Sequence, residues 1–373
     1  MKKIFTSILL TAFFTLTASA QLAKGFYYLQ NAYTDRYVLL ADNNASHYTF
    51  NAMGGSVKAQ GCKTIVGFSR VCTEPGAVFY VENTSGKKYN IEAQGTSLGA
   101  ITSKKGYIEL TSNGDGSYKG KIVVPSTGSV NLADSRARDG ADNWMRCNND
   151  VAVNWIPVPV NSGSNYFGVK PDVQTADGYY GTIYADFAFK LGSTGMKAYY
   201  INEASGSKIT LKEITGTIPA RTPVIIKCSS NDPSKNRLEP VVSGGSSVSG
   251  SKLAGVYCAC TEPGFVNVKL YDGNSMRVIG VSDNKLAFVK ATSADLVEGK
   301  YLCANKAYLK VDSKAAAVMT EDGSATGITT VKAEETVSKD VEGTYTLTGI
   351  RVPDGVTPQP GIYIRNGKKI VIR

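Results

Sequence analysis

Apolar residues in this chain fall in short runs that alternate with polar ones, and each run ends at Gly, Asn, Asp or Ser. Alternation with a period of two places one face of a strand on a core and the other in water, and the intervening residues are turn formers. No amphipathic stretch of helical period and ordinary length interrupts the pattern, and Leu/Ala/Glu/Lys heptads are absent. The fold class is therefore all-β. A chain of 373 residues has room for two or three such domains.

The two ends read as addresses. Lys2 and Lys3 precede an apolar run from Ile4 to Thr17, followed by the small residues Ala18-Ser19-Ala20. That order is expected of a secretory leader, residues 1–20, cleaved after Ala20. Gln21 stands where a lipid-anchored chain needs Cys, and no later run is long enough for a transmembrane segment. The formal net charge of +10 falls to +8 once Lys2 and Lys3 leave. A basic exported chain favours acidic partners such as acidic glycans. Its charges are scattered and accompany no nucleic-acid-binding motif, so no nucleic acid is expected.

At the other end, Gly343–Arg373 holds three short β segments, Tyr345–Leu347, Gly361–Arg365 and Lys369–Ile372, with Asn366-Gly367 as a two-residue hairpin between the last two. The stretch resembles the C-terminal sorting domain of type IX secretion cargo in Bacteroidota. The matching residues are Tyr345, Leu347 and Gly349, then Pro360-Gly361-Ile362-Tyr363-Ile364 and Asn366-Gly367-Lys368-Lys369. The resemblance implies that residues 341–373 are a sorting segment whose partner is the type IX machinery. It also implies a protein secreted to, or displayed on, the outer surface of a Gram-negative bacterium.

Residues 21–160 contain three strand–turn–strand units, starting at Gly25, Val78 and Tyr118. Three hairpin-bearing units of this size suggest a β-trefoil, whose lobes close one barrel. Asp142-Asn143-Trp144 and Asn154-Trp155-Ile156-Pro157-Val158 resemble the polar loop and closing strand of the ricin-type β-trefoil lectins. That family's Gln-x-Trp signature is broken here, because Val153 precedes Asn154-Trp155 and the other two lobes lack the Trp. The resemblance implies a core role for Trp155 and a glycan or glycoprotein as partner. Sugar recognition needs an aromatic face for the ring and amides or carboxylates for the hydroxyls. The expected ligand-binding residues are Trp144, Asp142 and Asn143 in the third lobe, with Tyr33 and Asp35 in the first.

A polar break at Asn161-Ser162-Gly163-Ser164 separates this part from residues 165–312 and implies separate cores on its two sides. The second part is a succession of short strands, including Tyr179–Tyr184 and the apolar Val224-Ile225-Ile226, which two packed antiparallel sheets would accommodate. It resembles the β-sandwich accessory domains of Bacteroidota surface proteins, through Ile218-Pro219-Ala220, Thr222-Pro223-Val224-Ile225 and Ala304–Leu309. Residues 313–340, rich in Ala, Thr, Glu, Lys and Ser, read as a linker.

Nothing in the chain calls for catalysis. His47 is the one histidine, and no nucleophile elbow, metalloprotease helix, P-loop or dinucleotide fingerprint occurs. No cofactor and no metal are implied. Cys62 and Cys72 flank a loop and form a plausible bridge in an exported protein, while most of the seven Cys are expected to be buried thiols. The reading is a non-enzymatic, carbohydrate-binding surface or secreted protein. A structural or adhesive protein without sugar specificity, or a β-trefoil protease inhibitor presenting the Ala100–Gly106 loop, are the alternatives.

Overall fold

A computed structural model describes residues 21–40, 49–52, 55–58, 62–65, 71–94, 96–97, 106–124, 128–134, 145–147, 152–161, 165–256, 269–323, 344–346, 351–352, 361–365 and 368–372. They form strands and short 3-10 turns, with no α-helix among them. The chain divides into two compact units, Met1–Val331 and Lys332–Arg373.

In the first unit, six antiparallel strands close a ring. Gly25–Asn31 pairs with Phe79–Ser85, which pairs with Lys88–Ala93 and then Tyr107–Ser112. The ring continues through Tyr118–Val124 and Asn154–Pro159, which returns to the first strand with Asn31 opposite Trp155. Closure leaves no unpaired edge. Alternate residues such as Leu29, Val81, Ile91, Ile108 and Ile122 point inward and bury a first core, with Trp155 inside it. Two antiparallel strand pairs stand outside the ring: Tyr37–Leu40 with Cys62–Ile65, and Gly128–Asp134 with Met145–Cys147.

The expected units at Gly25 and Tyr118 therefore correspond to each other, each a ring strand leading into an outlying strand pair. The unit at Val78 does not correspond to them. Its two arms, Phe79–Ser85 and Lys88–Ala93, are consecutive ring strands. A strand–turn–strand pattern looks the same in either setting, so the phase of the repeat is set only by closure.

The second part of this unit is a ten-stranded sheet. One half contains Val173–Thr175, Gly178–Ile183, Val224–Cys228, Lys197–Ser205 and Lys208–Ile214. The other half contains Val318–Thr320, Lys285–Val289, Met276–Ser282, Ala307–Lys310 and Leu253–Gly255. A single parallel bridge, Lys208 to Thr320, joins them. Side chains from both halves, including Ile201, Ile225, Phe288 and Met319, fill one core, which is the two-layer packing expected. The strand Val318–Thr320 lies inside the stretch read as a linker, and Met319 is fully buried. Two apolar residues, Val318 and Met319, in a polar, Ala-rich neighbourhood do not change the average composition, so the strand is invisible there.

The break at 161–164 is not a break in packing. The short strand Val71–Cys72 pairs in parallel with Tyr166–Gly168, placing Phe167 beside Cys72. Gly168 permits this approach, since a Cβ there would lie 2.8 Å from both the Pro233 carbonyl oxygen and a Val71 methyl. A second core runs across the junction, with Tyr28, Leu39, Cys72 and Val78 from the N-terminal side and Phe167, Phe189, Val224 and Ile226 from the other. The side-chain amides of Gln94 and Asn305 exchange two hydrogen bonds of 2.8 and 2.9 Å across the same seam. Cys72 is a free thiol in this core rather than half of a bridge to Cys62, and burial pushes its pKa up to about 12. Cys228 is likewise buried and free.

The second unit is a four-stranded sheet. Thr344–Thr346 pairs with Arg351–Val352 and with Gly361–Arg365, which pairs with Lys368–Ile372. Arg365 lies opposite Lys368, the register of a two-residue connection, although Asn366-Gly367 themselves lie outside the described residues.

Candidate functional site

The turn from Asn31 to Arg36 ends the first ring strand. Asn31 is fully buried and organises it. Its Oδ1 accepts the N–H groups of Tyr33 and Thr34 at 3.0 and 3.1 Å, and its Nδ2 donates to the Ala152 carbonyl at 2.7 Å. An Asn side chain can imitate a backbone turn in this way, which is why the residue sits at this position. Asp35 adopts a positive φ of 55°, a conformation that Asp tolerates better than most residues.

A part-buried polar contact ties the turn to the outlying strand Gly128–Asp134. The Thr34 hydroxyl donates to Asp134 Oδ2 at 2.6 Å, and Arg36 Nε lies 4.0 Å from the same oxygen. Arg36 and Asp134 are both buried. Buried charges persist where they are paired and hydrogen-bonded, so this cluster fixes the turn against the Gly128–Asp134 strand. Above it, Tyr33 stands 65% exposed, and Asp35 is exposed beside it. The result is an aromatic ring and a carboxylate presented to solvent on a backbone held from below.

The remaining expected residues, and the other aromatic and acidic side chains of the strand–turn–strand units, divide sharply. Asp142, Asn143 and Trp144 lie outside the described residues, as does His47. Tyr37 and Tyr89 belong to cores, and Glu82 is engaged by Lys24 at 2.9 Å and by the Tyr80 hydroxyl at 2.8 Å. Trp155 is in the first core, 2% exposed, with its Nε1 donating to the Leu132 carbonyl at 3.0 Å. Sequence reasoning missed Thr34 and Asp134. The sequence distance of 100 residues between them carries no signal that they meet.

Among the described residues no group of three His, Cys, Asp or Glu side chains is placed to hold a metal ion, and no helix is long and apolar enough to cross a membrane. No protein-family profile matches the chain, and no curated protein matches it in sequence. Among solved structures it is similar to SeviL bound to asialo-GM1 saccharide, at 12% identity and a TM-score of 0.22, over 37% of this chain and 98% of that one.

Proposed function

We propose that this is an exported, non-enzymatic carbohydrate-binding protein whose site is centred on the Tyr33 turn. The observation that carries the reading is the exposure of the Tyr33 ring on a turn whose polar supports, Asn31, Arg36 and Asp134, are all buried. An aromatic face suits the apolar side of a pyranose, and Asp35 offers acceptors for ring hydroxyls. A backbone already fixed loses little entropy on binding. Asp142, Asn143 and Trp144 remain candidate ligand residues on sequence grounds, and Trp144→Ala is the matching variant for them. The net positive charge favours an acidic glycan. The N-terminal leader and the C-terminal segment would deliver the protein to the surface of a Bacteroidota cell through type IX secretion.

Affinity at one such site should be roughly millimolar to tens of micromolar, about −4 to −6 kcal/mol. The test is a glycan array with the chain from Gln21 onward at two salt concentrations. Binding should weaken at the higher salt, because exposed charge pairs are screened over about 8 Å near physiological ionic strength. Tyr33→Ala should remove the signal while the melting temperature stays put, as expected for an exposed side chain. An array that stays empty at low salt overturns the lectin reading and leaves a structural or adhesive protein.

A further inference from the structure

We infer that Lys306 and Asp172 condense to an isopeptide bond, an amide within the chain that locks the sandwich and owes nothing to the Tyr33 turn. Asp172 immediately precedes Val173–Thr175, the first strand of the ten-stranded sheet in chain order. Lys306 immediately precedes Ala307–Lys310, the last strand but one. The two residues are 134 apart in sequence, and Lys306 Nζ lies 2.6 Å from Asp172 Oδ1.

Three segments build this meeting. The Asp172 N–H donates to the Tyr180 carbonyl at 2.8 Å, which holds the residue against the strand Gly178–Ile183. Gly181 permits the approach, since a Cβ there would lie 3.0 Å from the Lys170 carbonyl oxygen. The buried Thr182 then does two things. Its N–H donates to Asp172 Oδ2 at 2.7 Å, and its hydroxyl oxygen accepts the Ala307 N–H at 3.2 Å. One residue therefore positions both the carboxylate and the backbone beside the lysine. Oδ2 is held by the strand, and Oδ1 is left to the ammonium.

This pair differs from the other ion pairs among the described residues. In the other lysine pairs the carboxylate side chain is between 37% and 61% exposed, whereas Asp172 is 23% exposed. Arg36 and Asp134 are more deeply buried, but a guanidinium does not lose its proton and is no nucleophile.

The ion pair already holds every atom of the product. One proton passes from Nζ to Oδ1, leaving an amine and a carboxylic acid. The nitrogen stands within roughly 3–3.5 Å of the carboxyl carbon, a near-attack distance, and forms the N–C bond. Negative charge gathers on Oδ2, where the Thr182 N–H donates. The C–Oδ1 bond then breaks, a second proton passes from the nitrogen to that oxygen, and one water leaves. No oxidant or activated group is consumed. Burial disfavours the ammonium, but Asp172, with Glu74 and Cys303 behind it, outweighs burial and holds the Lys306 pKa above its ordinary value. The resting pair is therefore charged, and the bond forms slowly after folding. Once formed, it closes a loop around the strands between the two residues and restricts the unfolded chain.

The experiment is intact mass spectrometry of the denatured chain from Gln21 onward, after overnight incubation of the folded protein. The mass should be one water below that of the sequence, and fragmentation should yield a branched peptide joining Asp172 to Lys306. Lys306→Arg keeps the charge pair but forms no amide. It should have its full sequence mass and melt roughly 5–10 °C lower. Asp172→Asn should release ammonia in place of water and so reach the same final mass as the cross-linked parent. Tyr33→Ala should cross-link like the parent, so failure here is distinct from failure of the glycan site. A parent chain at full sequence mass, a water loss that maps to other residues, or the same loss in Lys306→Arg overturns the proposal.

Discussion

The seam between the ring and the sandwich makes a quantitative prediction through Phe167. Its side chain is fully buried, packs edge-on against Phe187 with ring centroids 5.5 Å apart, and shares a core with residues from both sides of the junction. Phe167→Ala removes most of that contact and leaves a cavity, at a cost of about 3–5 kcal/mol. If ring and sandwich unfold together, roughly 300 residues melt with about 0.6 kcal/mol/K of entropy, and the single transition should fall by about 5–8 °C. If the sandwich unfolds alone, roughly 160 residues are involved, its own transition should fall by about 9–15 °C, and the ring transition should stay. Calorimetry of the chain from Gln21 onward distinguishes these outcomes. Ile108→Ala, deep in the ring core, is the matching variant and should move the same transition. Two transitions, with each variant moving a different one, would refute the shared core. A fragment ending at residue 160 supplies a second check. It would expose Tyr28, Leu39, Cys72 and Val78, so it should bind a hydrophobic dye and lack a sharp melt.

Two further outcomes are expected. Trp155→Phe keeps the ring in the core but orphans the Leu132 carbonyl, so urea unfolding should show a loss of about 1–3 kcal/mol with an unchanged slope. Deleting Lys332–Arg373 removes a unit that is compact by itself, so the melting temperature of the remainder should not change while delivery to the cell surface is lost. Normal surface display of the truncated protein would rule out an address in this segment, and a lowered melting temperature would rule out its independence.

The strands themselves were legible because they depend on local alternation. Gly361–Arg365 and Val224–Cys228 lie where their apolar periods place them, within a residue. Trp155 was legible as core only through the resemblance of Asn154–Val158 to a closing Trp strand, and it lies in the first core. The candidate site was only partly legible. Asn31, Arg36 and Tyr37 are polar or aromatic residues in a turn-rich stretch, as Tyr33 and Asp35 are, and composition cannot say which face upward. That division follows from Asp134, which draws Thr34 and Arg36 down and leaves Tyr33 outside.

The sequence by itself determined the all-β class, the short strands and the turn chemistry, since each depends on neighbours a few residues apart. The run Val224-Ile225-Ile226 shows where that determination stops. Its three apolar residues mark a buried strand, and all three are fully buried. Only the tertiary structure decides what buries them. Ile225 faces the sandwich core, while Val224 and Ile226 face the second core against the N-terminal ring. Successive side chains of a strand point to opposite faces, so a run without polar alternation requires a cover on both. Which part of the chain supplies the second cover is a matter of contacts more than a hundred residues apart in sequence, and local pattern carries no record of them.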